Sequence, residues 1–328
     1  TSHRSFRREP VVRASRVLSW ARTHADSVRT LMLCPRNGAS LGDFNATNFA
    51  QVVAAVGPHL TEIWIDEGFQ ELVRPPFWAA LRDYVVPARK LRKLRVVDIP
   101  KGVSMSDVES SAQLRGSLEE LVLRGSPPQD FDPDIGLPRL PESFLTLTNL
   151  KKLELIHHFR IKAIPAGISN LKKLKELNVI GCDLRSLPKE LGALTQLEHL
   201  VVTGNYNLRA VPDDVAFPLE LKGMKSLRDL RLGICGLRRV PAFVREVSSL
   251  EEIWLGSNAD LQFDVPLNYL VECCPRMRLV DLKKGQGGSW NPQSMAHLEA
   301  FKAKLERENP SAQVDFEEFF GGAFFLFA

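Results

Sequence analysis

The sequence has no run of about 18 consecutive apolar residues, so no segment reads as a membrane-spanning helix. Cysteine is scarce: Cys34, Cys182, Cys235, Cys273 and Cys274 are the five in 328 residues. An odd, scattered set without a CxxC pair is neither a disulfide framework nor a zinc site. It suits a reducing, intracellular compartment: the cytoplasm, the nucleus, or an organelle if a transit peptide has been removed. The Walker loop, the GxSxG elbow, HExxH and the dinucleotide fingerprint are all missing. Gly285-Gln286-Gly287-Gly288 is glycine-rich, but no helix-start lysine follows it. His157-His158 has no second ligand pair at metal-site spacing, and carboxylates are too dispersed to single out an acid–base pair. The expectation is a chain that is not an enzyme and holds no cofactor or metal.

What is present is an ordinary ordered composition, 44% hydrophobic and 25% charged, with a net charge of +4. The charge is unevenly placed. Residues 1 to 36 carry eight arginines (Arg4, Arg7, Arg8, Arg13, Arg16, Arg22, Arg29, Arg36) against Glu9 and Asp26, which is +6 and leaves −2 for the rest. Aromatic residues do not interleave with these arginines, so the arm reads as a solvated terminus rather than a base-stacking surface. The chain starts at Thr1 rather than Met, which reads as a fragment or a processed form. One sequon, Asn45-Ala46-Thr47, occurs.

The organising feature is a repeat of apolar-x-x-apolar-x-apolar, found ten times. It begins at Val28/Leu31/Leu33 and runs through Leu60/Ile63/Ile65, Leu174/Leu177/Val179 and Leu227/Leu230/Leu232 to Met277/Val280/Leu282. Successive starts lie 32, 31, 27, 32, 24, 23, 30, 23 and 27 residues apart. The last two apolar positions, two apart, have the period of a strand with one face buried. In the regular units a Leu-x-x-Leu/Val-Pro element follows, as at Leu184/Leu187/Pro188 and Leu237/Val240/Pro241. Proline there stops the strand and starts a short return path. The longer spacings read as insertions near 34–58, at 66–90 with an amphipathic stretch from Phe77 to Val86, and as an irregular loop at 124–144.

This pattern resembles the leucine-rich repeat family, closely from about 150 to 262 and in the strand core elsewhere. The resemblance implies an α/β fold: a leucine-rich repeat solenoid, or horseshoe, with a concave parallel sheet and helical caps at both ends. The domain plan expected is a basic arm and capping helix at 1–27, about ten repeats at 28–290, and a cap helix with a Phe-rich tail at 291–328. The first helix, 10–27, is expected to turn Val12, Val17, Trp20, Ala21 and Ala25 inward. The last, opened by Asn291-Pro292, is expected to bury Met295, Leu298, Phe301 and Leu305, with a short strand near 313–316. The tail FEEFFGGAFFLFA, residues 316–328, is expected to fold over the last repeat or dock on a partner.

The stretch VLSWARTHADSVRTLML is similar to the helix and first strand that follow the F-box in F-box/leucine-rich repeat proteins. That likeness implies a substrate receptor of a ubiquitin ligase. LPESFLTLTNLKKLELI and LRAVP resemble the LP-type repeats of plant immune receptors and of Ras-group intracellular repeat proteins.

Strand parity assigns the face. The residue between the two inward apolar positions points to the concave side. The candidate partner-binding residues are Trp64, Arg95, Glu154, Asn178, Val201, Arg231, Trp254 and Asp281, in a column that also holds Met32 and Val122. Trp and Arg are the types that concentrate binding energy, and the mixed charge argues against nucleic acid, so a protein partner is expected. The eighth residue after the first leucine of five units forms a second set: His158, Cys182, Asn205, Cys235 and Asn258. These read as a structural turn ladder in which Asn satisfies backbone groups and Cys fills the same volume. Binding to a protein through the concave face and inserted loops is the function expected, with a structural role in a large assembly as the alternative.

Overall fold

The computed structural model describes residues 14–33, 44–66, 68–69, 71–99, 109, 114, 116–125, 136–210, 213–263, 267–284 and 290–315. Each apolar pair spaced two apart becomes a strand with its apolar side chains on one face. The chain divides into two units, Thr1–Arg160 and Ile161–Ala328. The first holds β1 (Thr30–Leu33), β2 (Glu62–Ile65), β3 (Lys93–Ile99), β4 (Glu120–Gly125) and β5 (Lys152–Ile156). The second holds β6 (Glu176–Ile180), β7 (His199–Val201), β8 (Asp229–Arg231), β9 (Glu252–Trp254), β10 (Leu279–Asp281) and β11 (Gln313–Asp315).

Within each unit neighbouring strands in the chain pair in parallel, and the repeat sets the register. In the first, Leu31, Ile63, Leu94, Leu121 and Leu153 stand side by side. In the second, Leu177, Leu200, Leu230, Ile253, Val280 and Val314 do. Apart from Leu31 on the edge strand, all of these are buried. Each contributes about 1.5–3 kcal/mol by leaving water. No single repeat encloses its own leucines, so adjacent repeats build the core together.

The return segments lie behind the sheets. In the regular repeats each is a five-residue 3₁₀ turn whose N-cap is the repeat's proline. Pro165, Pro188 and Pro241 open Ala166–Asn170, Lys189–Ala193 and Ala242–Glu246. Proline supplies the fixed φ and has no N–H to leave unpaired there. Two of the longer spacings are not insertions. The 34–58 stretch contains α2 (Ala46–Val56), which buries Phe49, Val52, Val53 and Val56. The 66–90 stretch contains α3 (Pro75–Ala80), continued by a π-turn over Leu81–Val85, with Phe77, Trp78, Leu81 and Val85 buried. Phe49 and Phe77 stack at 5.4 Å. The repeats that start at Val28 and Leu60 thus return through α-helix, and those of 23 to 24 residues through 3₁₀.

Both terminal helices form, with corrections to their inward faces. In α1 (Ala14–His24), Ala14 and Ala21 are buried, one heptad apart, while Trp20 points out and stacks on His24. In the last helix (Pro292–Glu308), Asn291 caps by accepting the Ser294 N–H at 2.7 Å. Ser294, not Met295, joins Leu298, Phe301 and Leu305 inside. The arm before Ala14, Cys34, the glycine loop 285–288, the tail 316–328 and residues 126–135 of the expected loop lie outside the described residues.

Candidate partner-binding face

The turn leaving each strand is built the same way. The residue before each ladder position has positive φ: His157 (55°), Gly181 (58°), Gly204 (77°), Ile234 (55°) and Ser257 (57°). This left-handed residue reverses the chain and sends the next side chain inward. Asn205 then donates from Nδ2 to the Val179 and Val202 carbonyls at 2.6 and 2.7 Å, and its Oδ1 accepts the Leu184 N–H at 3.1 Å. Asn258 donates to the Leu232 and Leu255 carbonyls and accepts the Cys235 and Leu237 N–H groups. Each amide therefore ties its own turn to the preceding repeat.

His158 does the same work with a ring. It is fully buried, its Nδ1 accepts the Leu137 N–H at 3.0 Å, and Nε2 lies 3.0 Å from the Leu123 carbonyl. The first bond requires an unprotonated Nδ1, so Nε2 carries the hydrogen and donates it. Burial lowers the His158 pKa to about 4. Cys182 and Cys235 occupy the same slot and are buried. The Cys235 thiol reaches the Val202 carbonyl, and burial raises its pKa to about 12. His157 stacks on Phe159 and is also held down, by burial first and then by the Arg124 charge. Among the described residues no three His, Cys, Asp or Glu side chains gather as a metal site would need.

The open face of the first unit's strands carries Trp64 and Arg95 on adjacent strands, in register, with the guanidinium 6.0 Å from the indole centre. Both are half-buried. Glu154 corrects the expectation of a free contact residue. It is only 4% exposed, because Arg124 on the neighbouring strand donates to its Oε1 from Nε and Nη2 at 2.9 and 2.6 Å. Lys152 adds its charge at 3.5 Å. Val122, beside it, is buried as well.

The strands of the second unit carry Asn178, Val201, Arg231, Trp254 and Asp281 side by side, all half-buried. Arg231 lies 4.9 Å over the Trp254 ring and donates from Nε to Asp229 at 3.0 Å. Trp254 Nε1 donates to Glu252 at 3.4 Å. The pair is held by two carboxylates, and a planar cation covers the aromatic face. Asp281 accepts the Lys283 N–H at 2.9 Å, and burial raises its carboxyl pKa against the pull of that bond and of the Lys283 charge. Asp315, on β11, extends the column beyond Asp281. The sequence predicts this strand near 313–316 but leaves it out of the ten repeats, because Ser311 stands where the pattern Ser311/Val314/Phe316 needs its first apolar residue.

Sequence reasoning also missed the column that enters the strands. In the second unit it reads Lys175, Glu198, Arg228, Glu251, Arg278, with alternating sign. Lys175–Glu198 closes at 2.8 Å, and Glu251 lies 3.7 Å from both Arg228 and Arg278. In the first unit Glu119 sits between Arg92 and Lys151 at 2.6 and 2.8 Å, and the Lys151 contact leads in lowering its pKa. The signal was present one residue before each strand core.

The fold is that of the leucine-rich repeat proteins. The structure of TLR13 in complex with ssRNA13 superposes with a TM-score of 0.57 over 90% of this chain and 36% of that one, at 15% identity. The internalin InlF of Listeria monocytogenes gives 0.50 over 94% and 95%, at 12% identity. No protein-family model matches the chain. Among curated proteins, the TMV resistance protein N of Nicotiana glutinosa is 30% identical over 146 residues, 38% of this chain and 13% of that protein. The volume-regulated anion channel subunit LRRC8D of Rattus norvegicus is 29% identical over 206 residues, 46% of this chain and 24% of that protein. A uridine 5'-monophosphate transferase of Xanthomonas campestris pv. campestris is 29% identical over 72 residues, 22% of this chain and 13% of that protein. The chain thus spans between 13% and 24% of the length of these relatives.

Proposed function

We propose that this chain is a non-catalytic protein-recognition scaffold of the LP type, working in a reducing intracellular compartment. Its principal contact is the Arg231–Trp254 pair, with Trp64–Arg95 as the corresponding pair in the first unit. One observation carries the reading: a half-buried Trp on an open sheet face, its N–H on Glu252, covered by an Arg that Asp229 helps to fix. Trp and Arg held rigid in this way lose little entropy on binding, and such residues concentrate interface energy. The LP reading is supported by prolines capping the 3₁₀ returns, and the compartment by described cysteines that stand as thiols, three of them buried. The test is affinity capture with the wild type and with Arg231→Ala/Trp254→Ala, read by quantitative mass spectrometry. A specific partner falling by about tenfold or more is expected. Equal capture by a folded double variant sinks the assignment. Recovery of a cullin-type adaptor among the captured proteins would select the ubiquitin-ligase receptor within this reading.

A further inference from the structure

In the second unit another column of side chains runs along the stack, on the segment that leaves the ladder turn. It consists of Lys162, Arg185, Arg209 and Arg238, each directly after a buried Ile161, Leu184, Leu208 or Leu237. All four are exposed, as is Arg239 beside the last. Backbone contacts fix the stacking. The Arg185 N–H donates to the Lys162 carbonyl at 3.1 Å, and the Gln262 N–H to the Arg238 carbonyl at 3.0 Å. The Arg209 side chain lies against Gly236, where a Cβ would come within 2.9 Å of the Arg209 Cβ. Four cations of one sign therefore follow one another at roughly the 5 Å spacing of adjacent strands.

Stacked like charges are destabilising. The strand-entry column of the same repeats avoids the problem by alternating, so repetition alone does not explain the uniform stripe. Lys162, Arg185 and Arg238 have no ion pair among the described residues. Asp183, two residues before Arg185, accepts from the Asn207 amide. The stripe is left facing solvent.

A second feature coincides with it. Among the described residues of this unit, the three large apolar side chains that stand exposed are Tyr206 (49%), Val215 (51%) and Leu219 (50%). All three belong to the repeat that carries Arg209, which lies 4.0 Å over the Tyr206 ring and donates to its hydroxyl at 2.8 Å. The Leu187 N–H, two residues after Arg185, donates to the carbonyl of Ala216, next to Val215, at 2.8 Å, so the row of cations and these apolar groups share one flank, as the two layers of a bilayer interface require. Headgroup charge meets the cations, and the acyl boundary accepts the apolar groups. A nucleic acid would use the cations but leave Val215 and Leu219 without a role.

We propose that this flank of the second unit docks on an anionic phospholipid surface. None of its residues lies on the open sheet face, so the proposal stands apart from the protein-recognition reading. The test is flotation of the full chain with phosphatidylcholine vesicles, alone or with about 30% phosphatidylserine, at roughly 0.1 M salt. Flotation with the anionic vesicles only is expected. Lys162→Glu/Arg185→Glu/Arg238→Glu should lower partition by about tenfold or more, with unchanged circular dichroism and melting temperature. Val215→Ser/Leu219→Ser should weaken it with the stripe intact, and Trp254→Ala should leave it unchanged. Three results overturn the proposal: no flotation with anionic vesicles; equal flotation of the folded triple-charge variant, which moves the attraction to the arginine-rich arm; or loss by that variant of single-stranded homopolymer RNA binding in a chain that never floats, which makes the partner a nucleic acid.

Discussion

Ile234 is the residue most at odds with its backbone. A β-branched side chain at φ 55° crowds its own carbonyl, and the equivalent positions 181 and 204 are glycines. Ile234→Gly should therefore stabilise the protein by about 1 kcal/mol, seen as a raised denaturation midpoint in urea. His158 makes the converse point, since its ring fits so well that it resists protonation. Its pKa is about 4 in the folded state against 6.5 as the ordinary value. Between those pH values the unfolded chain takes up a proton that the folded chain refuses. The stability it contributes is thus complete above pH 6.5 and falls as pH drops toward 4, by up to about 3 kcal/mol. Urea titrations at pH 7 and 4.5 should show His158→Asn, which restores the ladder amide, to be less acid-sensitive than the wild type. If both lose equal stability, another group sets the acid dependence. The ladder residues were legible because each is one fixed step from a leucine motif. The burial of Glu154 was not, because it depends on Arg124, 30 residues away in the chain and adjacent only once the strands pair.

At the scale of elements, glycine sets how closely the return segments approach. A Cβ on Gly192 would collide with the Glu220 carbonyl oxygen in the next return segment, and one on Gly223 with the Gly192 carbonyl. Gly192→Ala should cost about 1–3 kcal/mol by forcing the two 3₁₀ turns apart, measurable as a lowered melting temperature. Asn45 explains the lone sequon as local architecture. Its side chain accepts the Asn48 N–H at 3.1 Å while Asn48 returns the bond to the Asn45 N–H, a reciprocal cap for α2. Asn45→Ala should cost about 1 kcal/mol. Strand positions were readable throughout because their period of two does not depend on the length of the return path. The helix α2 was overlooked although Phe49, Val52, Val53 and Val56 follow helical spacing. The Gly- and Asn-rich residues preceding it dominated the reading of that stretch.

Among the described residues, thiol chemistry is packed away rather than displayed. Of the four described cysteines, Cys182, Cys235 and Cys274 are buried and Cys273 is half-buried. Of these four, a thiol reagent added to the folded protein should label Cys273 first and spare Cys182 and Cys235 until unfolding, as mapped by peptide mass spectrometry. Solenoids of this kind grow and shrink by gain and loss of whole repeats. The alternation Lys175, Glu198, Arg228, Glu251, Arg278 gives that process a parity. Excising one repeat would set Lys175 beside Arg228, whereas excising two would set it beside Glu251 and keep the signs in phase. Each mismatch is worth no more than about 1 kcal/mol at the surface, so the rule is a bias and not a ban. It makes the second unit a lineage expected to change length in even steps.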